Sequence, residues 1–225
     1  MAEGMGIRTK DLFDLSQTIA AGILKDSVYP WEVLPQIGEC IRAIGAQLPA
    51  EEYDHPMDDV WIAKDAVVFT SAYITGPCII GKGAEVRHCA FIRGNAIIGN
   101  QAVVGNSTEL KNVILFNGVQ VPHYNYVGDS VLGYLAHMGA GAITSNVKSD
   151  KALVNVKHGE EILSTGMKKF GAMLGDNVEV GCNSVLNPGT VVGRNTNIYP
   201  TSCVRGVVPA NSIYKNSSEI VVKLK

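Results

Sequence analysis

The chain lacks a strong charge of either sign. Its 225 residues carry 19 lysines and arginines against 21 aspartates and glutamates, a formal net charge of −2. That balance gives no global attraction to nucleic acid or to an anionic membrane surface, and neither is expected as a partner. Long hydrophobic runs are missing too: no apolar stretch approaches the roughly 20 residues needed to cross a bilayer. The opening MAEGMGIRTKDLFD has no apolar segment of the kind a secretion signal carries, so a cytoplasmic location is expected. The five cysteines, Cys40, Cys78, Cys89, Cys182 and Cys203, are odd in number and widely spaced. They read as small, reduced packing residues rather than a disulfide or zinc framework, and no metal is expected. No glycine-rich phosphate loop follows a strand-like run, which argues against a nucleotide-binding α/β domain within these residues.

What is present is a repeat. A branched aliphatic residue stands at every sixth position through Ile62, Val68, Ile74, Ile80, Val86, Ile92, Ile98, Val104 and Leu110. Four residues after each comes a small or apolar one, as at Ala66, Ala72, Cys78, Ala84, Ala90, Ala96 and Ala102. A period of six is neither helix nor ordinary strand. Short strands that each point one aliphatic residue inward, joined at tight corners by small residues, make a triangular coil out of three repeat units. Such coils stack by strand pairing about 4.8 Å apart into a parallel β-helix. The pattern resembles the hexapeptide-repeat proteins, largely acyltransferases, and that resemblance implies a left-handed β-helix. The repeat returns in a shifted frame from Leu132-Gly133 to Val204. Two interruptions are expected, Val113 to Val127 as a loop and Asn146 to Phe170 as a two-stranded ribbon. The expected architecture is therefore an all-β repeat with a short helical segment and linker over residues 1–58. The β-helix then occupies 59–225, with an insert at about 147–170. Within the segment, Leu12, Leu15, Ile19 and Ile23 suggest one helix. Leu34, Ile37, Ile41, Ile44 and Leu48 suggest a second, entered through Pro30, the pair packing on the first coil or on a partner subunit.

Residues three repeat units apart should stack on one face, which puts Thr75, Arg93 and Lys111 in a column with the two cations one strand spacing apart. Stacked cations repel unless an anion lies beside them. That anion is either a ligand or a carboxylate of the chain, such as Glu109. His123 lies in the first interruption, beyond Lys111 in the chain. An imidazole suits proton removal near neutral pH, although a loop histidine is also an ordinary surface residue.

The stretch VGNSTELKNVILFNGVQVPHYNYVGDSVLGYLAHMGAGAITSN is similar to the acetyltransferase half of the bifunctional N-acetylglucosamine-1-phosphate uridylyltransferase/glucosamine-1-phosphate acetyltransferases. It also looks like the same half of archaeal sugar-1-phosphate nucleotidylyltransferases. The resemblance implies acetyl transfer from acetyl-CoA to the amine of a hexosamine 1-phosphate. His123 would be the base and Glu109 its orienting partner. Arg93 and Lys111 would hold the phosphate, while Tyr126, Asn146 and His137 would face the sugar. It further implies an acyl-CoA path past Ala140, Cys182 and Pro200 to Arg205, and a homotrimer. Departures stand at His137, where the family has asparagine, and at Val147, where it has tyrosine. They leave open a non-catalytic module that binds a sugar phosphate or nucleotide sugar, or an acyltransferase acting on a nucleotide-linked sugar.

Overall fold

In the computed structural model, residues 6–223 are described. Parallel strands stack into three walls, the parallel β-helix that the six-residue period predicts. The first wall runs through Val60–Ala63, Cys78–Ile80, Ala96–Ile98, the end of Glu109–Leu115, the end of Tyr126–Leu132, Ala172–Leu174 and Thr190–Val192. The second carries Glu85–Val86, Val103–Asn106, Gln120–His123, His137–Met138 and Glu179–Val180. The third carries Tyr73–Ile74, Phe91–Ile92, the starts of the two seven-residue strands, Ile143–Thr144 and Val185–Leu186. Inward aliphatics such as Ile80, Val86, Ile92, Ile98, Val104 and Leu110 are fully buried.

Val113 to Val127 corrects the expectation of a loop, because it is a regular coil. Ile98 pairs with Leu115, Val104 with Val121, and Leu110 with Val127, each step one residue shorter than three full repeat units. The missing residue is at the corner between the third wall and the first. There Glu109–Leu115 and Tyr126–Leu132 bend from one wall to the next as continuous strands. Asn112 and Asp129 make the bend in the left-handed region, at φ 56° and 48°. A full-length coil has Gly94 at this corner, at φ 88°, where a side chain would also strike the Gly76 carbonyl. The second interruption leaves from the same corner. As expected, it forms an antiparallel ribbon, Asn155–His158 with Glu161–Ser164, turning at Gly159. Every break of the repeat up to this point thus falls on one edge of the triangular prism.

The middle residues of the first-wall strands would face water in a bare β-helix, yet Ile79, Ile97, Ile114, Val131, Met173 and Val191 are all buried. They pair successively into an external apolar ladder. The N-terminal segment covers it, extending well past the first coil. Only short elements form there: helix α1, Thr9–Leu12; helix α2, Ala21–Leu24; two 3-10 turns, Leu15–Gln17 and Pro30–Gln36; and helix α3, Ile37–Gly45. The single helix expected through Leu12 to Ile23 is thus broken into pieces, because the segment follows the wall rather than its own axis. Its backbone is tied to the coils where Asp176 N–H donates to Leu12 C=O and Asn117 N–H to Gln17 C=O, both at 3.0 Å. Phe13 packs on Phe116 with centroids 5.0 Å apart, and Trp31 on Phe170 at 5.6 Å. The Asp176 carboxylate accepts the Asp14 and Tyr134 N–H groups and pairs with Arg194 at 3.1 Å. At the far end of the wall the ribbon packs on Val207–Val208, with Val154 and Val156 fully buried.

Two outcomes are expected. Phe13→Ala should cost about 3 to 5 kcal/mol in a urea melt followed by far-ultraviolet circular dichroism, the usual range for a buried phenylalanine. An unchanged midpoint would show that the strap does not stabilise the coils. Thiol titration at pH 8 should modify Cys89, Cys182 and Cys203 rapidly, since all three are free and exposed. Cys40 and Cys78 should react only on unfolding. Burial holds both thiols above the ordinary cysteine value, Cys78 pushed up to about 12, so neither forms thiolate at that pH.

Candidate functional site

The shortened corner gathers most of the polar residues singled out in the sequence. Phe91 pairs with Glu109 and Glu109 with Tyr126, so these three project side by side from the third wall. Ile92 pairs with Leu110, which places Arg93 beside Lys111 as the repeat spacing predicts. Lys111 in turn pairs with Gly128. A side chain at Gly128 would collide with the Tyr126 hydroxyl at 2.5 Å, so this glycine makes room for the phenol next to the ammonium group.

Asp129, which the sequence reading did not single out, occupies the centre of the corner. Its side chain is 6% exposed. One oxygen accepts from Asn112 Nδ2 at 3.0 Å, the other from Asn146 Nδ2 at 2.5 Å, and Lys111 Nζ lies 3.2 Å from both. Asn146 also donates to the Tyr126 hydroxyl at 3.1 Å. The Tyr126 phenol is held above the usual tyrosine value first by burial and then by the Asp129 charge, so it stays protonated at neutral pH. The signal available in the sequence was the VGD step one coil beyond LKN: in a coil shortened by one residue, Asp129 stacks on Asn112.

Glu109 takes the neutralising role that the sequence left open for it, rather than that of a partner to His123. It pairs with Arg93 Nη1 at 2.5 Å and makes no hydrogen bond to His123, because Arg93 reaches it from the adjacent coil of the same wall. His123 lies on the other side of the third wall, at the end of the strand Gln120–His123, and its imidazole is exposed. The corner after it turns through Tyr124 at φ 51° and leads directly to Tyr126. In stacking register with His123 stand Ala140, Cys182 and Pro200, one coil after another. Three such steps make an accessible edge about 14 Å long, parallel to the prism axis.

Two other residues lie apart. His137 begins its second-wall strand opposite Gln120, at the other end of that strand from His123, and its Nδ1 bonds Glu179 at 2.7 Å. Within one chain it does not join the corner cluster. Arg205 continues the third-wall column of Lys111, but four coils on, about 19 Å away at the usual strand spacing. Among the described residues no group of three or more His, Cys, Asp or Glu side chains is arranged to hold a metal ion. No helix among them is long and apolar enough to span a membrane.

The chain is 31% identical over 222 residues to the bifunctional protein GlmU of Methanococcus aeolicus, covering 91% of this chain and 50% of that one. It is 34% identical over 156 residues to the bifunctional sugar-1-phosphate nucleotidylyltransferase/acetyltransferase of Sulfurisphaera tokodaii, covering 69% and 39%. The chain thus spans about half or less of the length of these relatives. Among solved structures, the acetyltransferase domain of PglB from Neisseria gonorrhoeae, in complex with acetyl coenzyme A, aligns with a TM-score of 0.39 and 18% identity. That alignment covers 80% of this chain and 63% of that one. A family model described as the GMPPB C-terminal domain matches residues 74–221, a span that includes the corner cluster and His123, and the chain belongs to that family.

Proposed function

We propose that this chain transfers an acetyl group from acetyl-CoA to the amine of a hexosamine 1-phosphate such as glucosamine 1-phosphate. The observation that carries the reading is the placement of His123. It stands at the head of the edge formed by Ala140, Cys182 and Pro200, one corner away from the Tyr126 end of the cluster. An extended thioester lying along that edge would present its carbonyl to an amine held at the cluster. The amine nitrogen attacks the carbonyl carbon, His123 accepts the amine proton, and the carbon–sulfur bond breaks to release CoA thiolate. Arg93 and Lys111 hold the phosphate, with Tyr126 and Asn146 on the sugar. Arg205, across the third wall from the far end of that edge, would meet the distal phosphates of the donor. Direct transfer needs neither a metal nor a nucleophilic Cys182.

A homotrimer acting in the cytoplasm belongs to this reading. Its subunits would cover Val67, Tyr124, Leu135 and Tyr199, which stand exposed on the second wall and its corners. A nucleotide-linked amino sugar is the second acceptor to weigh. Tyr73 and Phe91 form an exposed edge-to-face pair, and the Arg93 guanidinium carbon lies 5.9 Å from the Phe91 centroid, a surface on which a base could stack.

Release of CoA thiol from acetyl-CoA should be measured against glucosamine 1-phosphate, galactosamine 1-phosphate and UDP-linked amino sugars. His123→Ala should lower turnover by roughly 10² to 10⁴ while the protein stays folded. If no acceptor releases thiol while a nucleotide sugar binds tightly, the protein is a binding module and the catalytic reading fails.

A further inference from the structure

Both cations of the corner cluster already have a counter-ion within the chain, so an incoming anion meets a locally neutral site. The two pairs are held very differently. Arg93 and Glu109 are joined by one bond between side chains 45% and 32% exposed. Exposed pairs of this kind contribute roughly 0 to 1 kcal/mol. Asp129 is buried at a left-handed corner, with both oxygens taken by donors from Lys111, Asn112 and Asn146. Pulling it away would strand a buried carboxylate and three donors, whereas Glu109 can swing into water at little cost.

We propose that Asp129 is a positioning residue, a fixed counter-ion that clamps Lys111 and Asn146 in place, and that Glu109 is a displaceable one that occupies Arg93 until a phosphate replaces it. This rests on the sugar-phosphate reading above for its ligand. Phosphate enters by exchange: the Arg93–Glu109 bond breaks, phosphate oxygens take its place on the guanidinium, and Lys111 meets the same anion without leaving Asp129. Asn146 keeps the Tyr126 hydroxyl oriented throughout, because its own amide is held from behind.

Calorimetric titration with inorganic phosphate tests the exchange without any acetyl transfer. Glu109→Gln should bind phosphate about 3- to 5-fold more tightly, the gain from losing an exposed competitor. Unchanged or weaker binding overturns the displaceable role. Asp129→Asn should bind phosphate at least as tightly as wild type, since Lys111 loses its counter-charge. Its acetyl transfer should nevertheless fall by about 10- to 100-fold, mainly in kcat, because Asn146 and Tyr126 lose their register. Weaker phosphate binding by Asp129→Asn, or a kcat within about twofold of wild type, overturns the clamp. Should that variant not fold, Asn112→Gly serves. It keeps the left-handed backbone, removes a side chain whose amide donates to Asp129, and should lower kcat several-fold in a protein that still folds. An unchanged kcat in Asn112→Gly overturns the clamp equally. If the wild type acetylates no amino-sugar phosphate, the sugar-phosphate reading fails, and the two phosphate titrations still decide the roles of Glu109 and Asp129.

Discussion

The hydrogen-bonded register between successive coils is the constraint on which the rest of this protein depends. Within the stack, each coil strand pairs in parallel with its neighbours, so a side chain's place is set by its position in the coil and by coil length. Where a coil keeps its three full repeat units, Arg93 meets Lys111. Where one residue is dropped, Lys111 meets Gly128, Asn112 meets Asp129, and the corner closes tightly enough to bury a carboxylate. A single deletion, made twice in succession at the same edge, turns a repetitive scaffold into an asymmetric site.

Burial then sorts the charges. Coulombic attraction is available to both carboxylates near the cations, but only Asp129 sits where water is excluded and both its oxygens are engaged. Glu109, on an open wall, pairs with whichever cation is nearest. The difference between scaffold and exchangeable partner is a difference in solvent exposure, since the chemical groups are nearly the same. The external ladder on the first wall follows the same logic with apolar groups. The first wall is sealed by the N-terminal strap and the ribbon, while Val67 on the second and Tyr73 and Phe91 on the third stay exposed.

The periodic part of the fold was legible from residue spacing: the inward aliphatics, the small corner residues, the ribbon after Asn146 and the adjacency of Arg93 and Lys111. Other features were not. A frame shift of one residue between Leu110 and Leu115 looks like an interruption in sequence, because six-residue spacing cannot distinguish a lost turn from a tightened one. Asp129 escaped notice for the same reason, since its neighbours are named only by counting along a shortened coil. Leu12, Leu15, Ile19 and Ile23 have helical spacing, yet tertiary packing along a flat wall breaks them into short pieces.

By itself the sequence determined which side chains point inward and which stand in one column, because those follow from period and strand geometry alone. Only the tertiary structure decided which partners the charges take. Glu109 could reach toward His123 or Arg93, and Lys111 toward a ligand or a carboxylate. The choice depends on distances of a few ångströms across coils and on which group lies out of water. Covalent order says nothing of either.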